Sequence, residues 1–391
     1  MFESSSRAHP PVLATETPTA SSEPFRDLVA DFASWLEAWR RRLSDLEGEV
    51  PWPSQVPLFA SESSRGVREG GPPEPELSTA QADLLGSIVQ SFVPGCAARN
   101  EAIDRARRVY PPAEEAIQQQ FSRRQVQSLL VEAPWMRRAL EKPLGYAGDY
   151  QVMRYMYEDQ WAGETHFGRA LGYAIHQTPA AQAVVARKNL MTRQLRQHSA
   201  RHRPGKPLRI LLVAAGPAQE LYEVLTDPRI DLEIEAVLLE QETEALAYAE
   251  SRLRPVVERR RAPTRIERLQ ESVRRVVADR HFATQLGRFD VVVSAGLFDY
   301  LHPRMARRLI TALTSTLAPG GTAYFGNMVP ENPCRWIQEH GLDWWLIHRS
   351  RDELLDMARS AVPEASCWLL EEATGVNPFV AVSPPLGGGP P

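Results

Sequence analysis

The sequence predicts an α/β fold in which a mainly parallel sheet follows an all-α N-terminal region. The first observation is an unbroken apolar run, Ile210–Ala214, with the length and composition of a strand buried on both sheet faces. The second is a further strand-like segment, Ile234–Leu239, which is apolar except for Glu235 and follows a helix-compatible stretch. The third is that strand-like and helix-like segments alternate over roughly 180 residues, as they do in a doubly wound sheet.

The chain is predicted to begin with a tail, a helix and a linker. Residues 1–23 are rich in Ser, Thr, Pro and Glu, a composition typical of disorder. Over residues 24–48 apolar side chains recur at helical spacing. This amphipathic helix either docks on the body of the protein or serves as a partner helix, for example in a homo-oligomer through 24–46. Residues 49–76 are rich in Pro, Gly and Ser and indicate a linker.

Residues 77–205 are predicted to form a helical region. A capping box that begins at Ser78 starts one helix, and we expect Pro94-Gly95 to end it. More helical sequence covers about 98–140. Arg and Glu alternate closely on these helices, which is typical of a solvated surface rather than of a nucleic-acid patch.

The segment KPLGYAGDY, residues 142–150, is the least regular stretch of the N-terminal half. Two glycines and two tyrosines lie close to an aspartate, and this composition does not favour a helix or a strand. Such a loop could close over a ligand with aromatic faces and one carboxylate. The alternative is a structural turn whose tyrosines pack inward.

The first strand of the sheet ends in a turn of small residues, Ala214-Ala-Gly-Pro-Ala218. Small residues let backbone N–H groups approach a ligand at the start of the next helix. The second strand ends in Glu240, where a doubly wound nucleotide-binding fold places a carboxylate for both ribose hydroxyls. Because the turn has one glycine and a proline, a dinucleotide pyrophosphate fits poorly. We therefore predict a site for a mononucleoside with a non-phosphate tail.

The rest of the sheet is predicted from three more strands and a hairpin. Ala295–Leu301 follows the fourth strand, at the sheet edge where ligands bind in open parallel sheets. The sheet domain covers 206–383, and the tail 384–391 is predicted to be disordered. The remaining strands are predicted at 266–269, 289–294 and 322–327, and 367–370 with 379–382 form an antiparallel terminal hairpin.

Composition restricts the class of protein. The net charge of −4 and the pI near 6.2 give no general attraction to nucleic acid or to an anionic membrane. The three cysteines, Cys96, Cys334 and Cys367, show neither metal-binding spacing nor a disulfide framework, as expected in a reducing compartment. The first residues lack the apolar core of a secretory signal, and no apolar run is long enough to span a membrane. We expect a soluble, cytoplasmic protein with no membrane span.

Several motifs together resemble the class I S-adenosylmethionine (SAM)-dependent methyltransferases. More narrowly, the motifs KPLGYAGDY, AAGPAQE, SAGLFDYL, PGGTAYFGN and DWWLIHR resemble the family of extracellular-factor (3-hydroxypalmitic acid methyl ester) biosynthesis methyltransferases. The resemblance covers about 140–383. It implies a Rossmann-like sheet with an antiparallel terminal hairpin, SAM as cofactor, and a lid formed by the GYAGDY segment.

The resemblance also implies roles for individual residues. Glu240 would hold the ribose, Ser272 and Val273 would border the adenine, and the loop 294–301 would face the sulfonium and the substrate. Glu220 would accept a hydrogen bond from the cofactor's amino group, or else it is a first-turn acid that complements the helix dipole. The cofactor-binding positions are Tyr146, Ala214, Gly216, Pro217, Ala218, Glu220, Glu240, Gln241, Ser272, Val273, Ser294 and Gly296.

The favoured acceptor is a small molecule with a carboxyl group, such as a fatty or hydroxy-fatty acid. A carboxylate is already a nucleophile at neutral pH, so it needs positioning and desolvation but no base. Tyr300, Asn327 or Arg349 would orient it, the arginine by its fork of donors. Tyr150 is a further candidate for a contact from the lid.

Other acceptors and functions stay open. An amine or a hydroxyl would need a base, with Asp149, Asp299 or His302 as candidates. The substrate would then be a natural-product intermediate. A third hypothesis is a SAM-binding protein without catalysis.

Two further functions are disfavoured. Residues 294–297 read SAGL instead of the Asp/Asn-Pro-Pro-aromatic motif of nucleobase amino methyltransferases, and no Cys-Pro pair follows the fourth strand. His198 and His202 share a helical spacing but lack a third ligand, so we expect no metal site.

Overall fold

The computed structural model of the chain describes residues 22–56, 76–203 and 205–385. The described residues form two compact units. The helical unit comprises the described residues up to Gln182 together with Pro333–Trp345, and the sheet unit comprises Ala183–Asn332 and the described residues from Leu346 onward. Residues 1–21 of the predicted tail and most of the predicted linker lie outside the described residues, as does the end of the C-terminal tail.

The helical unit is built from seven helices and the first turn of an eighth, counted over its described residues. They are α1 (Glu23–Glu47), α2 (Thr79–Ser87), α3 (Val93–Arg107), α4 (Glu115–Leu130), α5 (Pro134–Glu141), α6 (Tyr150–Glu158), α7 (His166–His176) and the start of α8 (Pro179–Arg201). A π-helical turn, Ile337–Gly341, belongs to the same unit. The division between the two units falls inside α8, whereas the sequence suggested a boundary at 205/206.

Helix α1 buries its apolar face inside the helical unit. Phe25, Val29, Phe32 and Leu36 are fully buried, and α1 packs on α3, α4 and α7. Of the two predicted alternatives for this helix, the structure therefore has the docked one. A homo-oligomer through residues 24–46 stays a prediction, but it cannot use the apolar stripe that suggested it.

The helix that starts at Ser78 does not end at Pro94-Gly95, so that expectation is wrong. The capping box forms as predicted, because Ser78 accepts a bond from the Gln81 backbone and the Gln81 side chain accepts one from the Ser78 N–H. The backbone then passes through a π-helical turn, Ile88–Phe92, and continues as α3. Pro94, which has no N–H to donate, lies two residues after this π-helical turn.

The described residues of the sheet unit form one seven-stranded sheet in the order β3-β2-β1-β4-β5-β7-β6. The strands are β1 (Leu208–Val213), β2 (Ile234–Glu240), β3 (Thr264–Gln270), β4 (Phe289–Ser294), β5 (Leu317–Gly326), β6 (Ser366–Leu370) and β7 (Phe379–Ser383). The first five strands are parallel, and β7 runs antiparallel to both β5 and β6. This arrangement confirms the predicted fold class, a mainly parallel Rossmann-like sheet with an antiparallel terminal hairpin after an all-α region.

The remaining helices of the sheet unit connect these strands. They are α9 (Gln219–Leu225), α10 (Thr243–Arg259), α11 (Val273–Ala278), α12 (Arg280–Gln285), α13 (Pro303–Thr314) and α14 (Arg351–Ala361). One face of the sheet packs on apolar side chains of α8, α9 and α10, including Leu190, Leu221 and Leu253. The central strands are buried almost throughout, whereas the edge strand β3 alternates between half-buried and exposed residues. β5 begins at Leu317, earlier than predicted, because the Pro-Gly-Gly turn lies within the strand as an irregularity.

Among the described residues, no helix combines the length and the apolar character that crossing a membrane requires.

Candidate cofactor and acceptor site

The turn after β1 adopts the backbone of a glycine-rich turn although it contains a single glycine. Ala214, Gly216 and Ala218 have φ angles of 52°, 51° and 50°, which lie in the left-handed region. A non-glycine residue there costs roughly 1–2 kcal/mol because its Cβ approaches the following carbonyl oxygen. The two alanines therefore hold a conformation that their side chains disfavour. Such strain persists only where the surrounding structure imposes it, and it is common at functional sites.

Glu240, the last residue of β2, fastens this turn to the next strand. One of its carboxylate oxygens accepts a bond from Gly216 N at 2.9 Å, and the other accepts from Gln241 N at 2.8 Å and Glu242 N at 3.2 Å. The side chain is buried, and burial raises the pKa of this carboxyl, an effect that the three backbone bonds oppose. The carboxylate thus lies between the turn after β1 and the loop after β2.

The residues predicted to border the adenine lie just after β3. Ser272 is the N-cap of α11 and accepts a bond from Arg274 N at 3.3 Å, while Val273 is buried. Gln241, beside Glu240, is half-buried and donates to Glu242 at 3.0 Å. β3 pairs with β2 in register Glu240–Gln270, so the loops after the two strands start side by side.

Ser294 ends β4 and has an unusual environment. Its side chain is completely buried, and its hydroxyl has no hydrogen-bond partner among the described protein atoms. A buried hydroxyl left without a partner costs about 1–3 kcal/mol. β4 pairs with β1, so this hydroxyl lies at the same edge of the sheet as the turn 214–218.

The loop after β4 lies against a buried arginine that the sequence analysis did not select. A Cβ built on Gly296 would lie 2.8 Å from Nη2 and 3.2 Å from Cζ of Arg187, a residue of α8. Arg187 is 7% exposed and donates to Asn377 Oδ1 at 3.0 Å. Its Nη1 is 3.9 Å from Asp299 Oδ2, which completes a cluster at the carboxyl ends of β4 and β5.

Asp299 and Arg349 hold the backbone around this loop. Asp299 accepts from Met328 N at 2.7 Å, and the Asp299 carbonyl accepts from Ile347 N at 2.7 Å. Arg349 donates to the carbonyls of Phe298 and Leu301 and to the Asn327 side chain. Burial raises the pKa of Asp299 to about 6, although Arg187, the Met328 bond and Arg349 oppose the shift.

These contacts indicate a positioning role for Arg349. Its guanidinium bonds to carbonyl oxygens of the strand-four loop, and the residue is 4% exposed. Asn327 donates to the carbonyls of Met328 and Ile347, so it has structural partners too. Contact of Arg349 or Asn327 with an acceptor stays a prediction.

The other residues proposed for the acceptor lie further along the same loop. Tyr300 is half-buried in a single 3₁₀ turn, Phe298–Tyr300. His302 is the N-cap of α13, and its ring nitrogen accepts from Arg304 N at 3.4 Å. Asn327 follows β5 directly, so the loops after β4 and β5 together carry all three residues.

Glu220, in the first turn of α9, is half-buried and has an elevated pKa. Burial raises the pKa of Glu220 to about 7, and Glu223 adds to the shift, whereas Lys188 and Arg187 lower it. Lys188, which is buried, pairs with Glu223, and Thr192 also donates to Glu223 at 3.1 Å. α8 therefore brings two adjacent cations to the residues that follow β1 and β4.

In the helical unit, Asp149 has structural partners. It is the N-cap of α6, where it accepts from the backbone of Gln151 and Val152 at 3.0 Å each. Arg138 donates to both carboxylate oxygens at 2.9 and 2.7 Å. Burial raises the pKa of Asp149, and these bonds oppose the shift. The geometry shows that Asp149 caps α6 and forms an ion pair with Arg138. Its role as a general base stays a prediction.

Tyr146 lies in the irregular part of the same segment and is half-buried. Gly145 before it has φ of 88°, and Lys142 ends α5 in the left-handed region with φ of 48°. The ammonium of Lys142 donates to the carbonyl and to the carboxylate of Asp343, at 2.7 Å each. The segment is thus held at both ends, by Asp343 and by the cap at Asp149, and its role as a lid stays a prediction.

Arg187 and Lys188 are the residues that sequence reasoning missed. The sequence did contain a signal for these two residues, because two adjacent cations lie among apolar residues of one helix, Ala183, Val184, Leu190 and Met191. In a surface helix such a pair is ordinary, so only their burial distinguishes them. His198 and His202, by contrast, bond separately to Tyr324 and to the Lys206 carbonyl.

Comparison with known proteins finds similar structures at low sequence identity. No protein-family model matches the chain, and no curated protein matches it. A possible exported protein from Bordetella parapertussis shows a TM-score of 0.49 at 17% identity, over 79% of this chain and 97% of that one.

Two methyltransferases are also similar in structure. Magnesium protoporphyrin IX methyltransferase (ChlM) from Synechocystis PCC 6803 with bound SAH shows a TM-score of 0.43 at 8% identity, over 64% and 99% of the two chains. The N-methyltransferase NodS from Bradyrhizobium japonicum WM9, in complex with S-adenosyl-L-homocysteine, shows a TM-score of 0.36 at 15% identity, over 60% and 98%. At these identities and TM-scores, nothing about the activity of this chain follows from the likeness.

Proposed function

We propose that this chain is a SAM-dependent methyltransferase that acts on a small molecule, with a carboxyl group of a fatty or hydroxy-fatty acid as the acceptor. The observation that carries the proposal is the buried Glu240 carboxylate, which ends β2 and bonds to Gly216 of the turn after β1. A carboxylate at this place in a doubly wound sheet suits two ribose hydroxyls. The sequence motifs that resemble those of SAM-dependent methyltransferases are the reason to propose that the bound nucleoside is a methyl donor.

The residues present fit such a cofactor. β1 and β4 are neighbours at the point where the strand order reverses, and ligands of open α/β sheets bind at that point. A Cβ built on Gly216 would meet no atom within 4 Å, so the turn faces open space. A carboxylate has about four acceptor positions, and the three backbone bonds to Glu240 leave capacity for a hydroxyl. The hydroxyl of Ser294, which has no partner among the described protein atoms, lies at the same edge.

When bound, SAM supplies an electrophilic methyl group on a sulfonium. In the proposal, Glu240 and Gln241 hold the ribose, and Ser272 and Val273 border the base. Glu220 takes the amino group of the cofactor's tail. Ala214, Pro217 and Ala218 shape the turn, and Ser294 and Gly296 line the methyl side.

The protein's contribution to a carboxylate acceptor is alignment and removal of water. The carboxylate needs no base at neutral pH, so rate enhancement comes from holding its oxygen in line with the methyl carbon. Asp299 and Arg349 contribute by fixing the loop after β4 through their backbone bonds. In the proposal, Tyr300, on that loop, orients the acceptor.

A hydroxyl or amine acceptor is the second candidate, and one observation favours it. Burial raises the pKa of Asp299 to about 6, which is closer to the value of an effective general base near neutral pH. Its Oδ1 is bonded to Met328 N, whereas Oδ2 is 3.9 Å from Arg187. In this alternative, Asp299 Oδ2 accepts the proton that the hydroxyl or amine acceptor loses.

A labelling experiment separates these functions. Purified protein is incubated with methyl-labelled SAM and a panel of fatty, hydroxy-fatty and amino acids. A base-labile labelled product supports the ester, and a base-stable product supports transfer to a hydroxyl or an amine. Tight binding of SAM without any labelled product would leave a non-catalytic SAM-binding protein, and absence of SAM binding would refute the proposal.

Substitution of Glu240 tests the cofactor site directly. We expect Glu240→Gln to weaken binding of S-adenosylhomocysteine by about 10- to 100-fold, because a hydrogen bond to a charged group contributes about 1.5–3 kcal/mol. Binding is measured by calorimetry. Glu235, a half-buried residue of the same strand that pairs with Arg209 at 3.1 Å, provides the control Glu235→Gln, which should bind normally. Equal affinities for the two variants would contradict the placement of the ribose.

A further inference from the structure

Helix α13, which follows the loop after β4, carries a row of exposed arginines. Arg304, Arg307 and Arg308 are all exposed, and they lie on one face of the helix because they are three and four residues apart. α13 contains no acidic residue. Among the described residues, no carboxylate lies within ion-pair distance of these three guanidinium groups. The row is therefore a concentration of positive charge that faces solvent.

This arginine row differs from other helical surfaces of the chain. Arg105 of α3 pairs with Glu101 four residues earlier, and Arg254 of α10 pairs with Glu250 in the same way. On α13, the first and the last arginine of the row have that spacing, and their charges are alike. Like charges at this spacing destabilise a helix. Since α13 keeps them at a cost in stability, we infer a role for the charges outside the helix.

One neighbouring helix extends the basic area, and another limits it. α11, which packs on α13, adds the exposed Arg274, whereas its Arg275 pairs with Glu271. α14, which also packs on α13, carries the exposed acids Asp352 and Asp356. Because the whole chain has a net charge of −4, attraction of an anionic partner has to come from a local area such as this one.

The composition of this helix face indicates the kind of partner. Apart from the arginines, Thr311 is the only exposed residue of α13, so the face has no exposed apolar side chain. A stable protein–protein interface has an apolar core, which this face lacks. A surface that carries many negative charges is complementary to clustered arginines and attracts them without insertion of apolar side chains.

The position of the arginine row in the chain favours a lipid surface over nucleic acid. α13 begins directly after residues 294–301, the loop that carries Tyr300. The proposed acceptor is a fatty acid, and long-chain acids partition into membranes because burial of each CH₂ group in the bilayer is favourable. Docking of α13 on a membrane would therefore bring the loop after β4 close to its acceptor.

We propose that α13 docks on the anionic lipids of a membrane through Arg304, Arg307 and Arg308. This inference rests on the proposed function, since a lipid surface is chosen because the proposed acceptor is a fatty acid. Each arginine near an anionic bilayer strengthens binding by about 5-fold, so the three together contribute on the order of 100-fold. Salt weakens such binding because it screens exposed charges.

Sedimentation with vesicles tests the inference on the full chain. The protein is mixed with vesicles of phosphatidylcholine alone, or of phosphatidylcholine with phosphatidylglycerol, and the bound fraction is measured. We expect binding only to the vesicles that contain phosphatidylglycerol, and we expect high salt to release the protein. Equal binding to both kinds of vesicle, or binding to neither, would overturn the proposal.

Two triple variants locate the effect on the arginine row. Replacement of Arg304, Arg307 and Arg308 by glutamine should weaken binding to phosphatidylglycerol vesicles by on the order of 100-fold. Replacement of the same three residues by lysine keeps the charge and should leave binding within about 5-fold of the wild type. Wild-type affinity in the glutamine variant would contradict the proposal.

A third variant controls for net charge. It removes three exposed arginines from α8 and α10, whose apolar side chains pack on one face of the sheet, and it should bind the vesicles nearly as well as the wild type. If it loses as much affinity as the glutamine variant, net charge and not the arginine row attracts the lipid, and the proposal is wrong. Its substitutions are Arg193→Gln, Arg254→Gln and Arg259→Gln.

A DNA duplex, offered in place of vesicles at the same salt concentration, tests the choice of partner. We expect the duplex to bind more weakly than phosphatidylglycerol vesicles. Tighter binding to the duplex, lost in the glutamine variant, would show that the row serves nucleic acid and would overturn the assignment to lipid.

Calorimetry with S-adenosylhomocysteine separates this inference from the proposed function. The glutamine variant should bind S-adenosylhomocysteine like the wild type, which also shows that it is folded. If the wild type binds the vesicles but not S-adenosylhomocysteine, the proposed function fails while docking of α13 is supported. If it binds S-adenosylhomocysteine but not the vesicles, only the inference fails. Should the glutamine variant not fold, the lysine variant and the wild-type vesicle series decide.

Discussion

At the scale of single residues, the turn after β1 keeps two alanines in a conformation that glycine would adopt without strain. Ala214 and Ala218 have φ angles of 52° and 50°, and Ala214 is exposed. The bond from Gly216 N to Glu240 holds the middle of the same turn. The turn therefore contains two strained residues.

We expect Ala214→Gly to raise the free energy of unfolding by up to about 1 kcal/mol. Relief of left-handed strain gains roughly 1–2 kcal/mol, and the greater freedom of glycine in the unfolded chain returns about 0.5–1 kcal/mol. Urea unfolding measures the change. The neighbouring Ala215, which is buried and not left-handed, is the control, and Ala215→Gly should lower stability by about 1 kcal/mol. Destabilisation by both substitutions would show that the turn is not strained.

The contribution of Asp299 to stability depends on pH. Burial raises the pKa of Asp299 to about 6, so the folded state binds the proton more tightly than the unfolded state does. Its contribution is fully present below the unfolded value near 3.8 and is lost as pH rises through about 6. Relative to Asp299→Asn, the wild type should therefore lose stability on the order of 3 kcal/mol between pH 4 and pH 7.

Unfolding in urea at several pH values tests this dependence. Asp227 provides a control of opposite sign, because the bond from Arg229 lowers the pKa of Asp227 to about 2. Its contribution is present above the unfolded pKa, so the difference between wild type and Asp227→Asn should stay level from pH 4 to pH 7. A level difference for Asp299→Asn as well would mean that Asp299 titrates normally.

At the scale of elements, a glycine of α3 determines how closely α1 packs on it. A Cβ built on Gly95 of α3 would lie 2.7 Å from the Trp35 ring of α1, and Trp35 stacks on Phe92 at 5.0 Å. Gly95 is therefore needed for the approach of α1 and not for a turn. The Pro94-Gly95 pair, an ordinary helix end by sequence rules, lies inside a continuous helical stretch.

Two glycine-to-alanine substitutions should have opposite effects. Gly95→Ala should destabilise the protein by about 1–3 kcal/mol, because the added methyl overpacks against the Trp35 ring. Gly86→Ala, in α2, meets nothing within 4 Å and should stabilise by about 0.5–1 kcal/mol through helix propensity. Thermal unfolding compares the two variants. Stabilisation by Gly95→Ala would show that α1 does not pack this closely.

At the scale of the whole molecule, residues 333–345 return from the sheet unit's part of the sequence to the helical unit. Trp336, completely buried, donates its indole N–H to Ser122 at 3.1 Å, and its backbone N–H bonds to Asp104 at 2.9 Å. Glu339 pairs with Arg107, and His340 lies 3.0 Å from Glu115. The helical unit is thus completed by a segment distant in the sequence.

Removal of the Trp336 side chain should therefore weaken the helical unit. We expect Trp336→Ala to lower the free energy of unfolding by about 3–5 kcal/mol, because it leaves a large cavity and removes the indole hydrogen bond to Ser122. Hydrogen exchange should show the loss of protection mainly in α1, α3 and α4. Trp336→Phe, which loses the bond to Ser122 but fills most of the space, should cost less. An equal loss of protection in β1 and β4 would contradict the assignment of this segment to the helical unit.

The sequence by itself determined the sheet. Apolar runs identified β1, β2 and β4 to within two residues, because a strand buried on both faces offers few positions for polar side chains. Glu240 was selected because a doubly wound nucleotide-binding fold places a carboxylate at the end of this strand, and its contact with a ribose stays a prediction.

Tertiary structure alone decided the partners of the charged groups and the composition of the two units. Nothing in the sequence places Arg187 against Gly296, Arg349 on the carbonyls of the strand-four loop, or residues 333–345 among the N-terminal helices. The physical reason is that apolar periodicity is a local property, which neighbouring residues reveal. Whether a charge is solvated or buried depends instead on contacts between segments far apart in the chain, and those contacts exist only after folding.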